Sequence, residues 1–175
     1  YPPRFHADPR FNPPDCPVVG VSWHDVQAFL KWPNALTSEA YRLPTEAEWE
    51  KAARGADGRE YPWGNRWDAS RGNFAESGPG RLTSVGSYPD GVSPYGCYHM
   101  AGNAYDWCND WFHPQTYRYS PAQNPQGPID GRRKVVRGGA WITRGEFGGR
   151  CANRAAYAST ETPNCVSFRI AKSAI

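Results

Sequence analysis

The sequence predicts an α+β domain with two short helices, small antiparallel sheets and a large share of loop. Two segments carry apolar residues at helical spacing, each behind residues that cap helices. Eighteen glycines and 17 prolines indicate many turns, because both residues interrupt regular elements. Eight tryptophans, ten tyrosines and seven phenylalanines indicate a core of large rings held between irregular segments.

Length and charge limit the organisation of the chain and its partners. The 175 residues are enough for one domain with a buried core. A net charge of +3, with one tight basic cluster at residues 132–134, provides no basic face for nucleic acid. No apolar run approaches the roughly 18 residues that a membrane span needs. We therefore expect neither a nucleic-acid partner nor a membrane span.

The five cysteines lack the spacing of a zinc or redox motif, because no C-x-x-C pair occurs. Their disulfide pairing stays open. The chain starts at Tyr1, which we interpret as a fragment or a processed form. Residues 1–16 are proline-rich and predict an extended arm, and residues 17–175 predict the folded domain. Residues 18–21 predict a short strand.

A first helix is predicted to begin after Ser22, a good N-cap residue, with Asp25 completing a short-armed capping box. It should run to about Trp32, since Pro33 cannot continue a helix without losing a hydrogen bond. Three of its side chains share the face expected in the core: Val26, Phe29 and Leu30.

A second helix is predicted over residues 46–54. Thr45 and Glu48 form the capping-box pattern, and Gly55 suits the position after the last turn. Glu46 and Glu48 are two residues apart and face different sides of a helix, so paired acid–base work is disfavoured. We expect them to serve helix capping and surface charge. The inward residues are expected to be Trp49, Ala52 and Ala53.

The middle of the chain is expected to be mostly loop. Residues 85–89 predict a short extended piece, and residues 103–111 predict a strand that buries Trp107. The proline- and glutamine-rich stretch 114–130 predicts a surface loop.

The stretch Arg137-Gly-Gly-Ala-Trp141 organises the C-terminal part of the chain. Residues 134–136 predict a strand, and the two glycines allow a tight turn or a close approach of backbone. Residues 142–166 show no regular period, and residues 167–171 again predict a strand. An irregular connection this long is usually functional or disordered. Its Phe147, Tyr157 and cysteines favour a functional surface.

Six motifs follow one another along the chain. They are PVVGVSW at 17–23, RLPTEAEWE at 42–50, PWGN at 62–65, MAGNAYDW at 100–107, RGGAW at 137–141 and FR at 168–169. In this order they resemble the formylglycine-generating enzyme, or sulfatase-modifying factor, family. The resemblance covers residues 17–171 and implies a C-type-lectin-like fold with two helices, a small twisted antiparallel sheet and abundant loop.

The family resemblance implies one copper-dependent activity that this chain does not support. Oxidases of the family bind copper through two cysteine thiolates shortly after the Arg-Gly-Gly motif, and soft sulfurs suit Cu(I). Here the first position is Thr143 and the second falls near Phe147 or Gly148. Cys151 aligns instead with a structural cysteine of some members. We therefore expect no copper and no catalytic residue.

The family also includes domains of iron enzymes that make sulfoxides, whose histidine ligands lie on a separate domain. None of the four histidines here forms a spaced ligand pair, and we expect structural roles for His24 and His99. The alternative function is therefore a sulfatase-modifying-factor-like or sulfoxide-synthase-like oxidoreductase domain whose metal ligands lie on a missing domain.

The segment after the Arg-Gly-Gly motif is similar to the variable region of diversity-generating retroelement proteins, which carry the same fold. Between residues 142 and 168, only Glu146 and Glu161 fall outside the amino acids that adenine mutagenesis of Asn-type codons yields. This resemblance implies a non-catalytic display module that binds a protein or cell-surface ligand, with a cell-surface, secreted or phage-associated location. Its expected contact residues are Thr143, Arg144, Glu146, Phe147, Tyr157, Ser159, Thr160 and Asn164.

The resemblance also implies a calcium site. Asn103, Ala104 and Asp106 match a motif that binds calcium in some members, and hard oxygen ligands at short spacing suit Ca²⁺. A tight turn capped by these side chains would explain the same residues.

Overall fold

The computed structural model describes residues 2–173. The outer ends of the predicted arm and domain, at residue 1 and residues 174–175, lie outside this range. Within it the chain has the predicted α+β composition. Its elements are α1 (Trp23–Thr37), β1 (Tyr41–Arg42), α2 (Glu46–Arg54), β2 (Tyr105–Trp111), α3 (Thr116–Tyr119), β3 (Arg133–Arg137), α4 (Gly145–Gly148), β4 (Ala155–Ala158), β5 (Val166–Ser167) and β6 (Ala171–Lys172).

A four-stranded sheet in the order β4-β3-β2-β5 forms the centre of the described chain. Its pairs are antiparallel except for β2 and β5, which run parallel. The prediction of antiparallel sheets is therefore right for three strands of this sheet, while β5, at the edge opposite β4, runs parallel to β2. A separate two-stranded ladder joins β1 to β6, so the predicted strand at 167–171 is divided between two sheets.

Both faces of this sheet are covered, which explains why β2 is buried over almost its whole length. Trp107 and Val136 pack with α1 residues in one apolar cluster. Their neighbours Cys108 and Val135 point the other way and pack with Trp49 of α2 in a second cluster. Successive side chains of a strand alternate between faces, so each strand supplies both clusters. None of the helices in residues 2–173 combines the length and apolar composition needed to cross a bilayer.

Helix α1 confirms the predicted cap and corrects the predicted end. The Ser22 hydroxyl accepts from the Asp25 backbone, and the Asp25 carboxylate accepts from the Ser22 backbone. The helix nevertheless continues through Pro33 to Thr37. Proline removes the bond to the carbonyl four residues earlier, which belongs to Phe29. The prediction that Phe29 lies in the core is wrong: the residue is 45% exposed, and its ring packs against Trp32 and Phe168 instead.

Helix α2 confirms the predicted bounds and capping box, but Glu46 does not lie at the surface. Its side chain is buried and accepts hydrogen bonds from Arg137 at 2.9 Å and from Arg154 at 2.6 Å. Glu48 has the expected exposed role, bonding the Thr45 backbone and Arg42. The correction arises because Arg137 is 91 residues away in sequence and no local pattern reports it.

Three segments predicted from local composition differ in the structure. Residues 18–21 are irregular, because Gly20 takes φ +74° and its open side receives the Phe5 ring of the arm. Residues 85–89 form a turn that leads into a 3₁₀ turn, where the preceding Tyr88 has φ +58°. Residues 114–130 are mainly loop but include α3.

Lys134 on β3 is a buried ammonium group between two tryptophans. Its Nζ lies 4.1 Å from the centre of the Trp23 ring and 3.9 Å from that of Trp111, and it donates to the Asn109 carbonyl at 2.8 Å. Both rings favour the charged form, as does the nearby Asp110 carboxylate. Burial acts in the opposite direction and is the larger effect, lowering the pKa of Lys134 from 10.5 to about 8.

This lowered pKa predicts a rise of stability at alkaline pH. Between pH 8 and 10.5 the unfolded chain retains the proton that folded Lys134 releases, so the free energy of unfolding increases with pH in this window. The increase should be on the order of 3 kcal/mol. Urea unfolding of the wild type and of Lys134→Met across this range measures it. Equal pH profiles for the two proteins would contradict the prediction.

Candidate functional site

Residues 142–166 are more regular than their sequence indicates. They contain the single helical turn α4 and the edge strand β4, which pairs with β3. The turn returns close to the Arg-Gly-Gly motif, where Gly138 and Gly139 have φ values of +96° and +74°. A Cβ on Gly139 would lie 2.9 Å from the Gly148 carbonyl oxygen, a distance that side chains do not tolerate. The predicted close approach at these glycines is therefore confirmed, and its partner is α4.

The first group of predicted contact residues surrounds α4. Thr143 is fixed, since its hydroxyl accepts from the Ala140 backbone at 3.0 Å and donates to the Tyr105 hydroxyl at 3.2 Å. Arg144, Glu146 and Phe147 are exposed, and Phe147 is 64% exposed. The turn is thus held from inside while three of its side chains face solvent.

The second group lies on β4 and the loop after it. The Tyr157 ring contacts Tyr105 and Trp107 edge to face at 6.4 and 6.3 Å, and burial raises the pKa of its hydroxyl. The Ser159 hydroxyl lies 3.1 Å from Nε2 of His24. Thr160 is exposed and Asn164 is half-buried.

Tyr105 joins the two groups. It contacts Thr143 through its hydroxyl and Tyr157 through its ring. The structure therefore brings the two ends of the predicted surface together. It also separates the predicted residues into an exposed set and a supporting set. The exposed set is Arg144, Glu146, Phe147 and Thr160, and the supporting set is Thr143, Tyr157 and Ser159.

Thr143 faces Gly148, one of the two residues near which the resemblance places the second cysteine of the oxidases. A Cβ on Gly148 would overlap with Cγ2 of Thr143, so the positions are adjacent and neither supplies a thiolate. Cys151 is buried, and burial raises the pKa of its thiol to about 12. All five cysteines are free thiols in the described chain. Among residues 2–173 no cluster of three His, Cys, Asp or Glu side chains could hold a metal ion. These residues do not fit copper.

The motif expected to bind calcium is occupied by protein hydrogen bonds. Oδ1 of Asn103 accepts from the Thr83 backbone at 2.9 Å and from the Asn73 side chain at 3.0 Å. Oδ2 of Asp106 accepts from Trp49 at 2.9 Å and from Arg169 at 2.6 Å. The Arg169 guanidinium thus pairs with the only carboxylate of this motif. Calcium binding by Asn103, Ala104 and Asp106 stays a prediction, which elemental analysis tests.

A cavity of about 330 Å³ opens beside this motif and was not predicted from the sequence. His99, whose backbone has φ +53°, lines this cavity. Burial lowers the pKa of its imidazole. The Asp106–Arg169 ion pair also lines it. No sequence pattern indicates this cavity, because its wall comes from four separate segments: residues 17–18, residue 85, residues 98–106 and residues 167–169.

Comparisons with known proteins identify the relatives of this fold. The family described as "Sulfatase-modifying factor enzyme 1-like domain" matches residues 4–174. The formylglycine-generating enzyme of Streptomyces coelicolor is 40% identical over 180 residues, which cover 92% of this chain and 54% of that enzyme. The serine/threonine-protein kinase pkn1 of Chlamydia pneumoniae is 40% identical over 159 residues, which cover 89% of this chain and 24% of the kinase.

A solved structure carries the same fold. Treponema denticola variable protein 1 superposes with a TM-score of 0.83 at 22% identity, covering 97% of this chain and 76% of that protein. This likeness confirms the C-type-lectin-like fold of the formylglycine-generating-enzyme type. The chain spans about half the length of the Streptomyces enzyme and a quarter of the kinase.

Proposed function

The chain belongs to the sulfatase-modifying factor enzyme 1-like domain family, and from that premise we propose that it is a non-catalytic module that binds a ligand through residues 142–166. The observation that carries this proposal is the pair Thr143 and Gly148. The two positions lie side to side, yet they offer no thiolate to a soft metal ion. The resemblance places two thiolates at or near these positions in the oxidases, and this chain has none there.

The same segment has the physical properties of a display surface. Its backbone is fixed by Tyr105, by the β3–β4 ladder and by the two glycines, whereas four of its side chains face solvent. Side chains on a rigid frame can vary in sequence with little effect on the fold. A variable protein shares the fold. The proposed partner is a protein or cell-surface ligand. The proposed location of the module is the cell surface, the secreted fraction or a phage particle.

An oxidoreductase remains the second candidate, because one observation favours it. A formylglycine-generating enzyme is 40% identical to this chain and extends well beyond it. Under this alternative, the missing metal ligands come from a further domain. Metal analysis of the full-length protein, including any further domain, with incubation on a cysteine-containing sulfatase peptide, separates the two functions. Stoichiometric copper or iron, or conversion of the cysteine to formylglycine, would refute the non-catalytic proposal.

The display function predicts a division of mutational tolerance between exposed and supporting residues. Changing Arg144, Phe147 and Thr160 to serine should alter the free energy of unfolding by less than about 0.5 kcal/mol each. Tyr157→Ser should cost about 3 kcal/mol or more, because it removes a ring packed against Tyr105 and Trp107. Urea unfolding measures both. Comparable losses at exposed and supporting positions would contradict the division.

The binding function itself is tested with a library at the exposed positions 144, 146, 147 and 160. Displayed on yeast, it is panned against lysozyme as a defined protein target. A control library of equal size varies four exposed positions elsewhere: Lys51, Ser77, Asp90 and Ile129. We expect specific binders from the first library and none from the second. Equal numbers of specific binders from the two libraries would mean that residues 142–166 are no better suited to binding than other exposed positions.

A further inference from the structure

The cavity beside the Asn103 motif lies outside residues 142–166 and has the wall of a small-molecule site. Its volume of about 330 Å³ falls in the range of ligand pockets, which are mostly apolar with a few fixed polar groups. Three of its apolar side chains are unusually exposed: Val18 at 49%, Val85 at 53% and Tyr98 at 40%. Pro17 and Phe168 complete the apolar wall.

The polar part of the wall includes the Asp106 carboxylate, one oxygen of which accepts no side-chain hydrogen bond among residues 2–173. Both side-chain hydrogen bonds of Asp106 within the described chain, from Trp49 and from Arg169, end on Oδ2. Oδ1 accepts neither of them, and Asp106 lines the cavity while only 4% of the residue is exposed. In such a low-dielectric wall a hydrogen bond is stronger than it is in water.

A second acceptor lies on His99. Its Nε2 is 3.0 Å from the Ser84 carbonyl, so Nε2 carries the proton and Nδ1 carries the lone pair. This Nδ1 is buried and has no hydrogen-bond partner among residues 2–173. A buried acceptor without a partner is costly, and a ligand that donates to it removes that cost.

The charges of the wall select a neutral donor. The Arg169 guanidinium lies 2.6 Å from the Asp106 carboxylate and balances its charge. A ligand ammonium would meet Arg169 as well as Asp106, so it gains little net attraction. A hydroxyl group can donate its one proton to either acceptor without that repulsion.

We propose that this cavity binds a phenol, with its ring against Tyr98 and Phe168 and its hydroxyl donating to Oδ1 of Asp106. The aromatic wall favours a ring through edge and offset contacts. The phenol is a free small molecule or the tyrosine side chain of a partner peptide. The two sources share this chemistry.

Titration of ¹⁵N-labelled protein followed by NMR tests the proposal. The probes are p-cresol, toluene, benzylamine and N-acetyltyrosinamide. The Trp49 indole donates to the same carboxylate, so its cross-peak should shift on binding of p-cresol and saturate. The Trp32 indole, 62% exposed on α1, should stay in place. A response to N-acetyltyrosinamide assigns the site to a peptide side chain, and a response to p-cresol alone assigns it to a free phenol.

A blocking variant and a matched control complete the test. Val18→Trp places a larger side chain at the rim and should abolish the p-cresol shift. Ile129→Trp makes the same kind of change at a position that is 97% exposed and outside the cavity wall, and should leave the shift unchanged. Toluene that binds as well as p-cresol, benzylamine that binds better, or no response to any probe would each overturn the proposal. Denaturant midpoints near that of the wild type show that both variants are folded.

Discussion

Replacing Arg137 by methionine should destabilise the protein by about 3–5 kcal/mol, the usual cost of breaking a buried ion pair. The guanidinium is fully buried and donates to three acceptors: Glu46 at 2.9 Å, Glu50 at 2.6 Å and the Cys151 carbonyl at 2.6 Å. Methionine fills much of the space but leaves two carboxylates with one cation fewer. It also leaves the Cys151 carbonyl without its donor.

The same contacts connect Arg137 to the proposed binding segment. Cys151 lies shortly after α4 in the chain, and Arg154 shares Glu46 with Arg137. Loss of Arg137 should therefore loosen residues 150–154 first. Hydrogen exchange should report faster exchange at those amides than in α1. Domains commonly have a free energy of unfolding of about 5–15 kcal/mol, so the loss of Arg137 can remove much of it. Hydrogen exchange of the variant is therefore measured at low temperature, where a folded fraction persists.

Two matched variants test whether loss of the buried ion pairs causes the destabilisation of Arg137→Met. Arg42→Met breaks the exposed ion pair with Glu48 and should cost no more than about 1 kcal/mol. Arg137→Lys keeps the charge but cannot present a planar fork to three acceptors, so its cost should fall between the other two. A loss at Arg137→Met no greater than at Arg42→Met would mean that the buried network does not hold the fold together.

The pair of Arg137 and Glu46 also shows what could be predicted from the sequence. Capping boxes were predictable at Ser22 and Thr45, because both partners lie three residues apart and no tertiary contact is needed. The burial of Glu46 was not predictable, since its partners are 91 and 108 residues away. The strand β4 was missed for a different reason. It contains three alanines, which have low strand propensity, and it exists because β3 offers an edge.

In the candidate site, too, some features follow from the sequence and others only from the fold. The contact of the two glycines with α4 follows from the Gly-Gly pair itself. The separation of exposed Phe147 from packed Tyr157 does not, because both are aromatic residues in an irregular stretch. Tyr105 and Trp107, which contact Tyr157 from another strand, distinguish them. The residue pattern indicates the segment, and the fold sets the orientation of its side chains.

Installing cysteines at positions 143 and 148 should convert the protein from one that does not bind Cu(I) to one that binds it stoichiometrically. The two positions are adjacent, and two thiolates at that spacing are ligands that Cu(I) prefers. Gly148 has an ordinary backbone conformation, so a side chain is allowed there. The obstacle is Cγ2 of Thr143, which a new Cβ on residue 148 would meet. Thr143→Cys removes one γ branch and makes room.

This steric relation predicts a specific order among the variants. Gly148→Ala alone should destabilise the protein, and Thr143→Ser together with Gly148→Ala should recover much of that loss. The double serine variant, Thr143→Ser with Gly148→Ser, has the volume of the cysteine pair without thiolates and controls for packing. Anaerobic titration against a chromophoric Cu(I) chelator measures binding in each protein.

Copper bound by the cysteine pair but not by the serine pair or the wild type would show that two substitutions account for the missing metal site. The remaining scaffold would then already have the geometry of the oxidases. No copper in the cysteine pair would place the lost ligands elsewhere and remove the observation on which the non-catalytic proposal rests. Copper in the wild type would refute that proposal outright, because its basis is that Thr143 and Gly148 cannot replace two thiolates.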